Sequence, residues 1–304
     1  MRTVSNNPLY WLGLLLLSAI LGLSLSACGN GTNSAVTPQV YAQLRGTQER
    51  PTQVATAATG AVTVTVTNST TLHLDINTQN LVGVTSATLN VGKPGSNGPA
   101  IFTLYTATGN SAFPSSFHQD LTAATLIPQP TAGINSFSNA VNAVTVTGNT
   151  YVNISTQANP GGELRGQIGA ASFSVTPVGK AVVPIVITTA TATATVQLNS
   201  KQTVLTVTVT GGPGLQNVSH IGIYIAPPGG NGPQLFTVFD STADGVFPGT
   251  ATRTFTTTDL QMQTASGVTT YADAVNAFLS GNTYLQISTT AHSSGELRAQ
   301  LISQ

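Results

Sequence analysis

The sequence predicts an all-β protein made of two similar modules, each a sandwich or barrel of short antiparallel strands. Residues 60–67 and 71–77 alternate apolar with polar side chains, and residues 193–198 and 203–209 do the same in the second half. A period of two with one polar face is typical of half-buried strands. Turn-forming pairs such as Asn68-Ser69 separate these segments, which favours antiparallel neighbours. Short stretches at 138–144 and 272–277 are the helix candidates.

An internal repeat supports two modules. The motifs that recur, given as first and second copy, are Asn97-Gly98-Pro99 and Asn231-Gly232-Pro233, Ala140-Val141-Asn142-Ala143 and Ala274-Val275-Asn276-Ala277, and Gly162-Glu163-Leu164-Arg165 and Gly295-Glu296-Leu297-Arg298. Their offset changes from 134 to 133 along the chain, so we expect one residue to be lost in a loop. A period this long indicates duplicated domains and not a solenoid. We predict domains at 40–170 and 171–304.

Few residues carry charge, and this excludes several classes of protein. The chain has 9 Lys and Arg, 9 Asp and Glu, and a formal net charge of zero. Charged residues make up 6% of the chain, against about 25% in ordinary soluble domains. A nucleic-acid-binding protein needs a basic surface to displace counterions from phosphates, so no nucleic acid partner is expected. Disorder driven by like charges is excluded as well.

The amino terminus is typical of an export signal. Residues 9–25 form an apolar run, which as a helix spans about 25 Å and is marginal for a bilayer core of about 30 Å. A retained transmembrane anchor is one interpretation; small residues after the run favour a cleaved signal peptide, residues 1–27. Leu25-Ser26-Ala27-Cys28 resembles a bacterial lipobox, in which Cys28 is lipidated and anchors the protein to the membrane. Residues 28–39 then form a flexible tether.

Cys28 is the only cysteine, so no disulfide forms within the chain. Gly29 follows it where lipoproteins kept in the inner membrane have Asp. By resemblance to such lipoproteins, this implies the outer membrane if the host is Gram-negative.

Several motifs together resemble the CHRD domain, first described in the animal protein chordin and widespread in bacterial secreted proteins. The segments that carry the resemblance are 44–51, Asn97-Gly98-Pro99, 148–156 and 159–167. The resemblance covers about 41–168 and, more loosely, 173–301, where the Glu of the opening motif is missing. It implies an immunoglobulin-like or superoxide-dismutase-like Greek-key β-sandwich for each module.

The histidines typical of this family are replaced here. Two alternate positions on one strand are Thr88 and Asn90 in the first copy, and Gly222 and Tyr224 in the second; the terminal position is Ser155 and Ser288. Alternate residues of a strand share a face, so the family's histidines would be candidate metal ligands. We therefore predict no metal, no cofactor and no catalytic residue.

Other side chains leave weaker metal sites open as hypotheses. The remaining histidines are His73, His118, His220 and His292. A site shared by His220 and His292 is one alternative, although stable sites usually have three or four protein ligands. A weak calcium site at Asp240 and Asp244 is another, although the spacing of a dedicated calcium loop is missing.

Two charge pairs recur in both copies, Glu163 with Arg165 and Glu296 with Arg298. At positions i and i+2 of a strand the two side chains would share one face. We predict structural pairs, in which a buried Arg is balanced by its neighbouring carboxylate. A charged patch that binds a ligand is the alternative.

These observations predict a lipid-anchored cell-envelope protein with a non-catalytic binding, adhesion or structural role. Its expected partners are the membrane, through Cys28, and an unidentified envelope polymer or protein. A metal-dependent, dismutase-like redox enzyme is the alternative, disfavoured because the histidines are replaced. An extracellular polymer-processing enzyme would need carboxylates that converge in a cleft.

Overall fold

A computed structural model describes residues 38–108 and 112–302. The predicted signal peptide, Cys28 and nearly all of the tether lie outside these residues. Gln39, placed in the tether by the sequence, is already the first residue of a strand. None of the helices among the described residues is long and apolar enough to cross a membrane.

Within the described residues, each of the two modules contains eight strands. The first module contains β1 (Gln39–Arg45), β2 (Thr59–Asn68), β3 (Thr71–Gln79), β4 (Val84–Val91), β5 (Ala100–Thr106), β6 (Ser116–Thr122), β7 (Thr150–Thr156) and β8 (Leu164–Ile168). The second module contains β9 (Ala171–Val175), β10 (Ala192–Leu198), β11 (Leu205–Gly211), β12 (Val218–Ile225), β13 (Gln234–Asp240), β14 (Thr250–Phe255), β15 (Thr283–Thr289) and β16 (Leu297–Gln300).

The strands of each module form two four-stranded layers with the same topology. In the second module the orders are β14-β11-β10-β9 and β13-β12-β15-β16. In the first module they are β6-β3-β2-β1 and β5-β4-β7-β8, joined by one pairing between Arg45 and Arg165. The chain crosses to the second layer after β3, returns to the first at β6 and crosses again to β7, which makes a Greek key. The all-β prediction of two tandem antiparallel modules is confirmed.

Each module encloses its own apolar core. The alternation seen in the sequence places Leu72, Leu74 and Ile76 of β3 inside the first module, with their polar neighbours facing outward. The second core is built from different residues, among them Val207 and Phe236. Because each module has a separate core, each buries apolar surface of its own. This is consistent with duplication of one domain.

In the part of the chain that the structure describes, three α-helices interrupt the strands: α1 (Phe137–Asn142), α2 (Ser241–Asp244) and α3 (Tyr271–Leu279). α1 runs directly into a π-helical turn, Ala143–Thr147, whereas α3 is α-helical throughout. Both end at a left-handed glycine, Gly148 with φ 62° and Gly281 with φ 67°. The first copy has one more residue between the helix and this glycine, and the wider π turn accommodates it. The expectation that the odd residue lies in a loop is therefore wrong.

The two modules touch each other along the chain junction. Only Gly169 and Ala170 separate β8 from β9. The Gln202 amide donates hydrogen bonds to the carbonyls of Gln167 at 2.9 Å and Gly169 at 3.1 Å, so a buried side chain of the second module holds the end of the first. Residues 47–53 of the first module also contact the end of α3.

Candidate functional site

The residues that replace the family's histidines come together on the face of the second layer that points away from the apolar core. In the first module Thr88 of β4 pairs with Asn153 of β7, and Asn90 pairs with Tyr151. Ser155 lies two residues further along β7, on the same face. We call this side of the layer, opposite the apolar core, the histidine-position face.

The same face of the second module is occupied by an aromatic stack. Tyr224 lies on Tyr284 with ring centroids 5.2 Å apart and an angle of 12° between the planes. Gly222 lies beside them, and a Cβ at this position would be 2.9 Å from the Tyr224 ring and 3.1 Å from His220 Nε2. The glycine therefore makes room for the tyrosine. Burial raises the pKa of Tyr224 to about 12, so its hydroxyl stays neutral at physiological pH.

The histidines have polar partners of their own. His220 Nε2 is 2.9 Å from Gln234 Oε1, and its Nδ1 is 3.6 Å from an Asp240 oxygen. His292 lies in the turn after β15, where its backbone N–H donates to Thr289. On the first module, His73 Nδ1 is 2.6 Å from Asp120 Oδ1, and this hydrogen bond raises the His73 pKa.

Within 38–108 and 112–302, no group of three or more His, Cys, Asp or Glu side chains is arranged to hold a metal ion. The two aspartates considered for calcium act as local caps. The Asp240 carboxylate accepts from Thr242 at the start of α2, and Asp244 accepts from the Asp240 backbone at 2.9 Å.

Arg165 is the largest fully buried side chain of the first module and holds a loop against the histidine-position face. Its guanidinium lies 3.5 Å from the centroid of the Tyr151 ring. It donates to Asn97 Oδ1 at 2.7 Å and to the Ser96 carbonyl at 2.6 Å. Arg298 repeats the arrangement over Tyr284, with hydrogen bonds to Asn231 and Gly230. The positive charge of each arginine is therefore stabilised by hydrogen bonds to carbonyl oxygens and by a cation–π contact with a tyrosine ring.

This arrangement explains why Asn-Gly-Pro is repeated. The Tyr151 hydroxyl donates to the Gly98 carbonyl at 3.1 Å and accepts from the Gly98 N–H at 3.0 Å. A Cβ on Gly98 would lie 1.7 Å from the Val91 carbonyl oxygen, which no side chain can occupy. The Asn97 amide also donates to the Arg50 carbonyl at 3.0 Å. The motif is therefore a clamp that ties the loop after β4 to the segment after β1.

Glu163 and Arg165 do not pair with each other, which corrects the sequence interpretation. Glu163 lies just before β8 begins, and its carboxylate accepts hydrogen bonds from Thr156 at 2.6 Å, Thr56 at 2.7 Å and Asn159 at 3.2 Å. Burial by itself would raise its pKa, but these hydrogen bonds outweigh it and the pKa is lowered.

In the second module the Glu296 carboxylate likewise accepts hydrogen bonds from the Thr289 hydroxyl at 2.7 Å and from the Thr188 hydroxyl at 2.6 Å. Its neighbour Arg298 is instead held by the loop at Asn231. In each motif the glutamate therefore binds threonine hydroxyls, whereas the arginine binds the Asn-Gly-Pro loop.

The carboxylate that interacts electrostatically with Arg165 is that of Glu49. The sequence patterns did not identify Glu49 as a site residue. Glu49 is buried, and burial raises its pKa to about 7 although the charge of Arg165 lowers it. With its amide nitrogen turned toward Glu49, Asn153 lies 3.1 Å from both carboxylate oxygens. The available signal was the Glu of the opening motif 44–51. In the second module, whose opening motif lacks it, Val182 lies three residues after Gly179, as Glu49 does after Gly46.

Comparison with known families also finds one and the same domain in both halves of the chain. A family model described as the CHRD domain matches residues 40–168 and again 173–301. The chain belongs to the CHRD domain family. No curated protein and no solved structure gives a significant match. Membership of this family supports a binding or structural character for the two modules.

Proposed function

We propose that this CHRD protein is a lipid-anchored component of the cell envelope with a binding, adhesion or structural role and no catalytic step. The anchor would be Cys28 at the end of the apolar run 9–25, in a tetrapeptide that resembles a lipobox. The role rests on one observation above all: Glu163, Arg165, Glu296 and Arg298 are buried and hydrogen-bonded to their own modules. Groups used in this way are not presented to a substrate.

One sheet surface of the second module is lined by neutral polar side chains. Its first layer carries outward threonines on two paired strands, which we call the threonine face: Thr206, Thr208 and Thr210 of β11 opposite Thr254, Thr252 and Thr250 of β14. The hydroxyls of Thr208 and Thr252 are 3.0 Å apart, and those of the other pairs 3.2 and 3.4 Å apart. Rows of hydroxyls suit hydrogen bonding to an uncharged envelope polymer, which needs no counterion displacement.

The anchor is tested by metabolic labelling with a fatty-acid analogue. The chain with native Cys28 is expected to carry the label and to sediment with membranes. Cys28→Ser is expected to lose both, whereas Ser26→Ala, two residues away, is the matched control and should keep both. A labelled Cys28→Ser chain, or an unlabelled native one, would contradict the anchor.

The binding role is tested with isolated envelope polymer. Native protein should co-sediment with it, and Thr252→Lys should weaken this, because the bulky charged group disrupts the threonine face. Thr131→Lys, at an exposed position of the first module, is the control for added charge. Equal binding by Thr252→Lys would remove the threonine face from the proposal, and stoichiometric copper or zinc in the purified protein would favour the redox alternative.

A further inference from the structure

A cavity of about 480 Å³ opens at one end of the second module, among the loops that join its two layers. Its size lies within the range of about 300–1,000 Å³ that is usual for sites that bind small molecules. Leu215, Val218 and Phe247 form part of its apolar lining, and glycines form much of the rest. None of the described residues that line it is charged. A ligand that fits this cavity is therefore uncharged.

The first module shows why the cavity is present in the second, because the same loops can be matched residue by residue. Thr78 N–H donates to the Ser115 carbonyl at 2.8 Å. In the same way Gly211 N–H donates to the Gly249 carbonyl at 2.9 Å. Two residues with side chains are thus replaced by two glycines at the cavity. A Cβ on Gly211 would lie 3.2 Å from an edge carbon of the Phe247 ring, so the glycine leaves that ring open to the cavity.

An aromatic ring of the first module is also missing from the second. Phe113-Pro114 recurs as Phe247-Pro248, and four residues after each phenylalanine stand Phe117 and Ala251. In the first module the Phe117 ring stacks on the Phe113 ring, with centroids 5.3 Å apart. Phe247 keeps an edge-to-face contact with Phe239, but it has an alanine where Phe113 has a ring. The second module therefore leaves a face of Phe247 for a ring-shaped group from outside.

The second module also gains polar side chains at the same place. Gly83 and Asn217 match each other: both have a left-handed φ, 66° and 51°, and their carbonyls accept from Gln157 N–H and Thr290 N–H. Asn217 therefore adds an amide to the cavity where the first module has no side chain. Ser241 and Thr290 add hydroxyls. Within 38–108 and 112–302, the side chains of Asn217, Ser241 and Thr290 have no hydrogen-bond partner, so they remain for a ligand.

We propose that this cavity binds one neutral sugar residue of a glycan. A pyranose ring has an apolar face of C–H groups, which suits Phe247 and Leu215. The hydroxyls at its edge suit the amide of Asn217 and the hydroxyls of Ser241 and Thr290. Because a sugar has no charge, it enters a cavity without charged residues at no cost in ion solvation. The proposal rests on the binding role proposed above and gives the polymer a chemical class.

The test is titration of the full chain, purified in detergent, with neutral trisaccharides of glucose, galactose, mannose and N-acetylglucosamine. Saturation-transfer NMR detects weak binding and reports which sugar protons touch the protein. The native chain is expected to bind at least one of them through the C–H face. Ala251→Phe restores the ring of the first module and should weaken binding at least tenfold. Ile187→Phe is the matched control, since it adds the same ring at a position that is 92% exposed and outside the cavity.

A second variant tests the polar side chains without filling the cavity. Asn217→Gly restores the residue found at Gly83 and suits the left-handed backbone. Loss of the amide should weaken binding about three- to tenfold, the effect of one hydrogen bond. Thermal melting checks that each variant folds, and Asn217→Gly decides the test where Ala251→Phe melts below the native chain.

The outcomes separate this site from the binding role as a whole. Binding lost in Ala251→Phe, reduced in Asn217→Gly and kept in Ile187→Phe supports the proposal. Equal binding by a folded Ala251→Phe chain would overturn it, as would no sugar binding by the native chain. Binding of N-acetylphenylalaninamide in place of the sugars would also overturn it and indicate an aromatic side chain of a protein partner. Co-sedimentation with envelope polymer, compared with Thr252→Lys, decides the binding role independently of this site.

Discussion

The guanidinium of Arg165 lies flat over the ring of Tyr151, 3.5 Å from its centroid, and Arg298 lies at the same distance from Tyr284. In both modules the tyrosine hydroxyl and the guanidinium bind the same Asn-Gly-Pro loop, so the stack fastens that loop to the sheet. The charge conserved between the two copies thus stabilises each module from within.

Removing the stack should destabilise the first module. Arg165→Ala leaves Asn97 Oδ1 and the Ser96 carbonyl without their donor and opens a cavity over Tyr151, at a cost of about 2–5 kcal/mol. Thermal melting measures this loss. Arg253→Ala is the matched control: its ion pair with Asp244, at 3.5 Å, is exposed, and such pairs contribute less than about 1 kcal/mol. Equal melting of the Arg165→Ala and native chains would contradict the structural role.

Glu49 should make stability fall as pH rises. Its folded pKa of about 7 lies above the ordinary value of 4.5, so the folded chain holds a proton that the unfolded chain has released. Its contribution is therefore present below about pH 4.5 and is lost as pH rises through 7, by up to about 3 kcal/mol. Glu49→Gln stays neutral and should lack this part of the pH dependence. Urea unfolding at pH 5 and pH 8 compares the two chains, and parallel curves would contradict the assignment.

Glu163 should behave in the opposite sense. Its pKa is lowered by hydrogen bonds from Thr156, Thr56 and Asn159 that outweigh burial, so the folded state favours the carboxylate. Its stabilisation is present above the unfolded pKa and is lost as pH falls through the lower folded value. Glu163→Gln is expected to cost stability at pH 7 and little at strongly acidic pH. A constant difference across that range would show that the hydroxyl contacts do not depend on the charge.

Gly98 should tolerate no side chain. In Gly98→Ala the new Cβ meets the Val91 carbonyl oxygen at 1.7 Å, and the loop must leave the Tyr151 hydroxyl to make room. A loss of about 2 kcal/mol or more is expected, the range for a strained backbone position that also loses hydrogen bonds. Gly161→Ala is the control, since no atom lies within 4 Å of its Cβ. Similar melting temperatures for the two variants would refute the close approach.

The helix that precedes the last two strands of each module shows where local patterns stop being informative. The repeat revealed that one residue differs between the copies, but its place depends on where the two helices end. Because Gly148 and Gly281 both close a helix, the additional residue had to be absorbed before them, and a π turn does so without moving the glycine.

The sequence by itself determined the strands, the duplication and the family, because the period of two and the short turn motifs depend on neighbours along the chain. The tertiary structure decided how the few charges are used. Glu163 and Arg165 are two residues apart, yet one turns to Thr56 and Thr156 and the other to Tyr151 and Asn97. Glu49 reaches the same region from a segment more than a hundred residues earlier. Such partners are chosen by packing between distant strands, where burial makes each polar group bind whichever donor or acceptor the fold brings to it.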